Sequence, residues 1–212
     1  MTERFTKQEL SALRQQLAAE ISPYRMAHTD GVVGEIAALS ALYAPEMTEA
    51  LCAAALLHDI TKEYSNEAQQ ALLEGQGITL RPDEAAAPKI WHAITAPLVI
   101  ARDYPRFATE AVLSAVRWHT TGRAGMTLPE ALLYLADYIE AGRRFADCVA
   151  LREAFWSAEP QKMDADARLA HLYRVLLRSF DFTLSDVEKA GGQPCLDTLA
   201  ARQDIANRLQ LP

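Results

Sequence analysis

Two Ser/Thr-x-x-Glu boxes fix the character of this chain: Thr6 with Glu9 ahead of Leu10, Leu13 and Leu17, and Thr127 with Glu130 ahead of Leu132, Leu135 and Ile139. In such a box the hydroxyl and the carboxylate satisfy backbone N–H groups reciprocally at a helix start, and here the apolar residues that follow recur at helical spacing. The same spacing predicts a second helix from about His28 through Val32, Ile36, Leu39 and Tyr43, stopped by Pro45, with Pro23 closing the first. A third helix is expected over about Glu46 to Ile60. A short one over Asn66 to Leu73 should end at Gly75 and Gly77, before a polar loop with Pro82 and Pro88. Pro97 predicts a turn around Trp91 and His92 and a helix beginning near Thr95, since an interior proline breaks a longer one. Phe107 to Trp118 reads as helix, and His119 to Met126 as a glycine-bearing loop. Beyond Val149 two or three amphipathic helices follow, notably Asp166 to Phe180 and Leu196 to Leu209. No alternating strand pattern, repeat or linker interrupts this, so the expectation is an all-α fold in a single domain over residues 1–212.

A chain of 212 residues buries a core without disulfides or a structural metal, so a metal here would serve chemistry. Half the residues are hydrophobic and 23% are charged, which excludes disordered and fibrous classes. The net charge of −7 comes with no cationic cluster, which disfavours duplex nucleic acid and anionic membranes as partners. The longest apolar run, Ala50 to Leu57, is far short of a membrane span. Cys52, Cys148 and Cys195 are widely spaced with no Cys-x-x-Cys pair, and Met1 to Lys7 holds no apolar signal core. Both point to free thiols and a cytoplasmic protein.

Four of the five histidines, His28, His58, His92 and His119, fall where helices begin or end. The strongest element is His58-Asp59 at the end of the apolar run. Adjacent helical residues point about 100° apart, so both reach one ion only from a helix end. Taken alone, the dipeptide reads as a core histidine followed by a capping aspartate before it reads as a ligand pair. Asp137, inside the apolar helix Leu132 to Ile139, adds a second carboxylate that needs a cation. With His28 the set is two imidazoles and two carboxylates, which suits iron, manganese or another first-row metal with positions left open for water and a substrate oxygen. Arg25 stands three residues before His28 and shares its face if the helix begins early enough. Lys62 shares the His58 face if that helix continues. His171, in a later amphipathic helix, reads as structural.

The order His28, His58-Asp59, Asp137 resembles the metal-dependent phosphohydrolases of the HD-domain superfamily, all-α proteins named for that dipeptide. The segments Arg25-Met26-Ala27-His28-Thr29, His58-Asp59-Ile60-Thr61-Lys62, Trp91-His92-Ala93, His119-Thr120-Thr121-Gly122-Arg123-Ala124-Gly125-Met126 and Tyr134-Leu135-Ala136-Asp137-Tyr138-Ile139-Glu140 narrow it. They are similar to the YqeK-type family, bacterial symmetrical diadenosine tetraphosphate hydrolases, over about residues 24–145. The stretch 146–212 diverges. The resemblance implies iron bound at His28, His58, Asp59 and Asp137. It also implies a nucleotide product held at Arg25, His92, His119, Thr120 and Arg143, with two ADP formed by a metal-activated water. His92 and His119 would donate to phosphate oxygens, and one of them would protonate the leaving phosphate. Lys62 and Arg123 would add local positive charge for the polyphosphate bridge. Two departures stand out. Ile94-Thr95-Ala96-Pro97 follows His92-Ala93 where relatives turn at once, and Ala141-Gly142-Arg143-Arg144 replaces a proline, leaving open whether Arg143 or Arg144 meets phosphate. Other readings are an HD hydrolase of another nucleotide or phosphoester, and a nucleotide-binding HD scaffold without catalysis. A homodimer is compatible with the chain, though no helix marks its interface.

Overall fold

The structure, a computed structural model, describes residues 5–210, so the first four residues of the amino-terminal stretch lie outside it. Every regular element among the described residues is helical, as expected of an all-α fold. In α1 (Lys7–Glu20) the Glu9 carboxylate accepts the Thr6 N–H at 2.7 Å, while the Glu9 N–H donates to Thr6 Oγ1 at 3.2 Å. Helix α2 (Pro23–Tyr43) starts five residues earlier than the sequence spacing suggests. Ser22 is its N-cap, with Oγ accepting the Arg25 N–H at 3.1 Å, and Pro23 occupies the first turn, where its missing N–H costs nothing. The proline expected to close the first helix therefore opens the second, and Arg25 and His28 share one helix.

Helix α3 (Thr48–Leu57) follows a 3₁₀ turn at Pro45–Met47 and ends at Leu57 rather than Ile60. The cause lies in His58, whose Nδ1–H donates to the Ala55 carbonyl at 2.6 Å, the acceptor that the next backbone N–H would use. The chain then tightens into i to i−3 turns, Ile60 N–H to Leu57 and Lys62 N–H to Asp59. Residues Leu51 to Leu57 are all buried, so α3 is the central helix of the bundle. After α4 (Asn66–Gly75), the stretch expected as a polar loop contains the single turn α5 (Pro82–Ala85) and a 3₁₀ turn at Pro88–Ile90.

Helix α6 (Trp91–Asp103) runs through Pro97 unbroken, which overturns the expected start near Thr95. An interior proline costs about 3 kcal/mol and one backbone bond. Burial of Ala93, Ala96, Val99 and Ile100 on the flank of α6 offsets that, at about 1.5–3 kcal/mol for each of the two larger side chains. Its first turn is also pinned from outside, because Thr61 Oγ1 donates to the His92 carbonyl at 3.1 Å.

A 3₁₀ turn at Pro105–Phe107 precedes α7 (Glu110–Trp118), which therefore begins later than Phe107. Helix α7 ends as α3 does, with a histidine whose Nδ1–H donates back three residues, here His119 to the Val116 carbonyl at 2.6 Å. The glycine-bearing loop follows, and then α8 (Leu128–Ile139) opens with Glu130 accepting the Thr127 N–H at 2.9 Å. Helices α9 (Ala146–Ser157), α10 (Ala165–Lys189) and α11 (Leu196–Arg208) complete the chain. Helices α2, α7 and α8 pack around α3, and the continuous apolar core extends from Phe5 to Ile205.

The last two helices form the floor of the loop after α7. Gly122 adopts a left-handed φ of +64°, and a Cβ there would meet Phe180 of α10 at 2.8 Å and Ala201 of α11 at 3.0 Å. Asp204 accepts the Gly125 N–H at 3.1 Å, and Arg208 donates to the Met126 carbonyl at 3.3 Å. No helix among the described residues is long and apolar enough to cross a membrane.

Candidate metal and phosphate site

Two helix ends and one helix face converge on a single cluster. Helix α2 supplies His28, the end of α3 supplies His58 and Asp59, and the last turn of α8 supplies Asp137. His28 Nε2 lies 3.1 Å from Asp137 Oδ1 and 3.7 Å from Asp59 Oδ2, and His58 Nε2 lies 3.5 Å from Asp59 Oδ2 and 3.9 Å from Asp137 Oδ1. Both Nε2 atoms are buried and lack an acceptable hydrogen bond. Their opposite nitrogens are engaged: His58 Nδ1 on the Ala55 carbonyl and His28 Nδ1 on Glu140 Oε1 at 3.2 Å. That fixes each ring with one lone pair aimed into the cluster beside two carboxylate oxygens, the arrangement a first-row divalent cation requires. The donor set fits a metal.

Electrostatics agree with that reading. Burial alone would raise Asp59, but His58, His119, His92 and Lys62 hold its carboxyl well below the usual carboxylate range. Asp137 is likewise held down, against its burial, by Arg143, His28 and His58. Burial pushes the His58 imidazole down to about 4, so it is neutral near pH 7. His28 moves the other way: burial favours the neutral ring, yet Asp137 outweighs it and raises the pKa. Arg25 Nη1 and Arg143 Nη2 each lie 2.5 Å from a carboxylate oxygen, of Asp59 and Asp137 respectively.

Beside the cluster stands a second group. His92, on the first turn of α6, places Nε2 at 3.2 Å from His119 Nε2, 3.3 Å from Asp59 Oδ1 and 3.1 Å from Thr120 Oγ1. Lys62 Nζ is 3.1 and 3.2 Å from the two ring nitrogens of His92. It arrives there from the turns after α3, not along a continued helix face. Burial, with His119 and Lys62, keeps His92 neutral, and burial also lowers Lys62. The unusual sequence after His92 leaves its ring within this group, because α6 is docked by Thr61 and not by an immediate turn.

Two cavities flank the cluster. One, of about 370 Å³, is lined by Tyr24, Arg25, His28, Asp59 and Arg144 among others. The other, of about 420 Å³, is lined by His119, Thr120, Tyr134, Tyr138, Thr183 and Asp186 among others. Lys62, Asp137, Arg143 and Phe145 belong to both. Arg143 bonds Asp137 through Nη2 and its main-chain carbonyl through Nε, whereas Arg144 only borders the first cavity.

Arg123 is not brought to the cluster. Its guanidinium forks onto the fully buried Glu130 at 3.0 and 3.1 Å, pinning the loop to the start of α8. His171 donates to or accepts from no site residue; its Nε2 meets the Phe155 carbonyl at 3.0 Å. Sequence reasoning gives Glu140 no role, although it orients His28 while its other oxygen accepts the Gly142 N–H at 2.5 Å. Gly31 is equally unmarked: a Cβ there would meet Glu140 Oε2 at 2.2 Å. The only local signal for Glu140 is a carboxylate directly after the apolar end of α8.

Comparison with known proteins gives one family model, the HD domain, matching residues 26–142. A symmetrical bis(5'-nucleosyl)-tetraphosphatase of Bacillus subtilis is 31% identical over 139 residues, 66% of this chain and 71% of that protein. One of the same name from Halalkalibacterium halodurans is 33% identical over 135 residues, 62% of this chain and 68% of that protein. Among solved structures, one from Clostridium acetobutylicum, described as an HD superfamily hydrolase involved in NAD metabolism, is 28% identical with a TM-score of 0.79. It covers 97% of this chain and 100% of its own, so the likeness in fold extends through α9, α10 and α11.

Proposed function

Because this chain belongs to the HD-domain family, we propose that its hydrolase site acts on diadenosine tetraphosphate, cleaving it symmetrically to two ADP, with iron as the preferred metal at His28, His58, Asp59 and Asp137. Manganese fits the same nitrogen and oxygen donors. The observation that carries the reading is the pair of buried, unbonded imidazole nitrogens facing two carboxylates, set between two cavities that share Lys62, Asp137 and Arg143. A substrate with a nucleoside at each end and its scissile bond in the middle matches a reactive centre with a chamber on either side.

A metal held there supplies a water of lowered pKa and positive charge for the phosphate oxygens. The protein's own groups do the rest. Arg25 from α2 and Arg143 from beyond α8 bring guanidiniums to the two carboxylates, within reach of phosphate oxygens at the cluster. His92 is neutral before substrate arrives, so it meets phosphate as a hydrogen-bond donor. Thr120 and Lys62, both within 3.2 Å of His92, complete that side. Three buried free cysteines suit the reducing cytoplasm, where such nucleotides would be met.

The test is steady-state hydrolysis of diadenosine tetraphosphate by iron-reconstituted protein with products separated by chromatography. ADP alone is the expected result. AMP with ATP overturns the symmetrical cleavage, and no turnover by metal-loaded protein overturns the substrate. Asp137→Ala should lose both turnover and bound metal while helicity persists; full activity in that variant refutes the site.

A further inference from the structure

Among the described residues, Tyr24 at 80% and Phe145 at 68% are the most exposed large hydrophobic side chains. They lie on separate elements, the first turn of α2 and the residue before α9, yet both border the cavity of about 370 Å³ beside the metal cluster. Isolated apolar exposure needs no explanation, but two aromatic rings left bare at the mouth of one polar cavity mark a recognition surface. Phe145 stands on the boundary with the opposite cavity, whose other rings differ: Tyr134 stacks on Tyr138 at 6.3 Å, and the Tyr138 hydroxyl donates to Asp147 at 2.6 Å. Those rings already have partners. Tyr24 instead stands next in sequence to Arg25, whose guanidinium carbon is 6.0 Å from the Tyr24 centroid and whose Nη1 reaches Asp59. A flat aromatic face therefore adjoins a phosphate-directed cation, which is the layout of a base joined to a phosphate chain.

We propose that Tyr24 and Phe145 form an aromatic clamp for the nucleobase at one end of the dinucleotide, the opposite cavity taking the other nucleoside. This rests on the dinucleotide reading above and adds a specificity element to it. The clamp makes the site prefer a substrate with nucleosides at both ends over one with a single nucleoside.

The test compares wild type with Tyr24→Ala, Phe145→Ala and Tyr24→Phe. Both side chains are largely exposed, so the variants keep the fold. Two ligands are titrated at equilibrium, a methylene-bridged, non-hydrolysable analogue of diadenosine tetraphosphate and ADP, and KM for the natural dinucleotide is measured alongside. Base–aromatic stacking predicts a loss of about 5- to 150-fold in analogue affinity for each ring removed, larger than the loss for ADP, with Tyr24→Phe restoring binding. Equal losses for both ligands, or none, overturn the clamp while leaving the substrate reading intact. If the wild type neither binds the analogue nor cleaves the dinucleotide, the substrate reading falls and the clamp with it.

Discussion

Replacing Gly31 with alanine separates the needs of the fold from those of the site. Gly31 lies inside α2, one turn beyond His28, and an added Cβ would sit 2.2 Å from Glu140 Oε2 and 3.0 Å from its Cδ. Glu140 is 2% exposed, with Oε1 on His28 Nδ1 at 3.2 Å and Oε2 on the Gly142 N–H at 2.5 Å. Its carboxylate end must move, and both bonds go with it. Losing a buried charged hydrogen bond costs about 1–3 kcal/mol, while alanine in place of glycine returns about 1 kcal/mol of helix propensity. With two such bonds lost, folding stability should therefore fall by about 1–5 kcal/mol. The metal should suffer more selectively, because a ligand histidine that loses its orienting partner typically costs about 10- to 100-fold in affinity. Chelator competition at pH 7.5 reads the affinity, and urea denaturation of the metal-free protein reads the stability. Gly34→Ala is the control: it shares the helix, has open space around its Cβ, and should only gain stability. A Gly31→Ala protein that is stabilised like Gly34→Ala and binds metal as wild type refutes the role assigned to Glu140.

Acidification should release metal in a way set by His28. Its pKa is raised above the ordinary 6.5, so protonation blocks Nε2 as the pH falls through that raised value, while His58 stays neutral down to about 4. In the metal-free protein the sign reverses: the charged His28–Asp137 pair adds stability that is complete below 6.5 and is lost as pH rises through the raised value. Chelator competition from pH 8 to pH 5 should show affinity beginning to fall above pH 6.5, and a flat profile down to pH 5 contradicts this. Gly122→Ala should destabilise the protein by about 2–5 kcal/mol, the sum of a left-handed backbone penalty and overpacking against Phe180 and Ala201. Urea denaturation checks it, and a change below about 1 kcal/mol would show that α10 yields more easily than a close-packed helix should.

Helix existence is legible in this sequence wherever the signal is local. The boxes Thr6–Glu9 and Thr127–Glu130 act within one turn and mark the starts of α1 and α8. The start of α2 is less plain because Pro23 reads equally as an end and as a first turn, and only the Ser22 hydroxyl on the Arg25 N–H decides. Pro97 misleads for a different reason: the cost of an interior proline is visible in sequence, whereas the burial that offsets it belongs to the assembled bundle. The residues of the cluster can be picked out since histidines and aspartates at the ends of apolar runs demand partners. Glu140 and Gly31 escape notice, as the contact from His28 to Glu140 spans 112 residues of chain. Arg123 shows the converse, a cation in the right motif that a buried carboxylate claims first.

The floor beneath the loop after α7 gives the carboxy-terminal helices a part in placing His119 and Thr120 that no motif marks. Phe180 and Ala201 back onto Gly122, two and three residues beyond the threonine and histidine at the loop's head, and Asp204 and Arg208 hold the later backbone at Gly125 and Met126. The stretch in which family resemblance fades is therefore the stretch that braces the loop opened by His119 and Thr120. Two chains reading identically through residues 24–145 can thus hold this loop differently, through helices that carry none of those signatures.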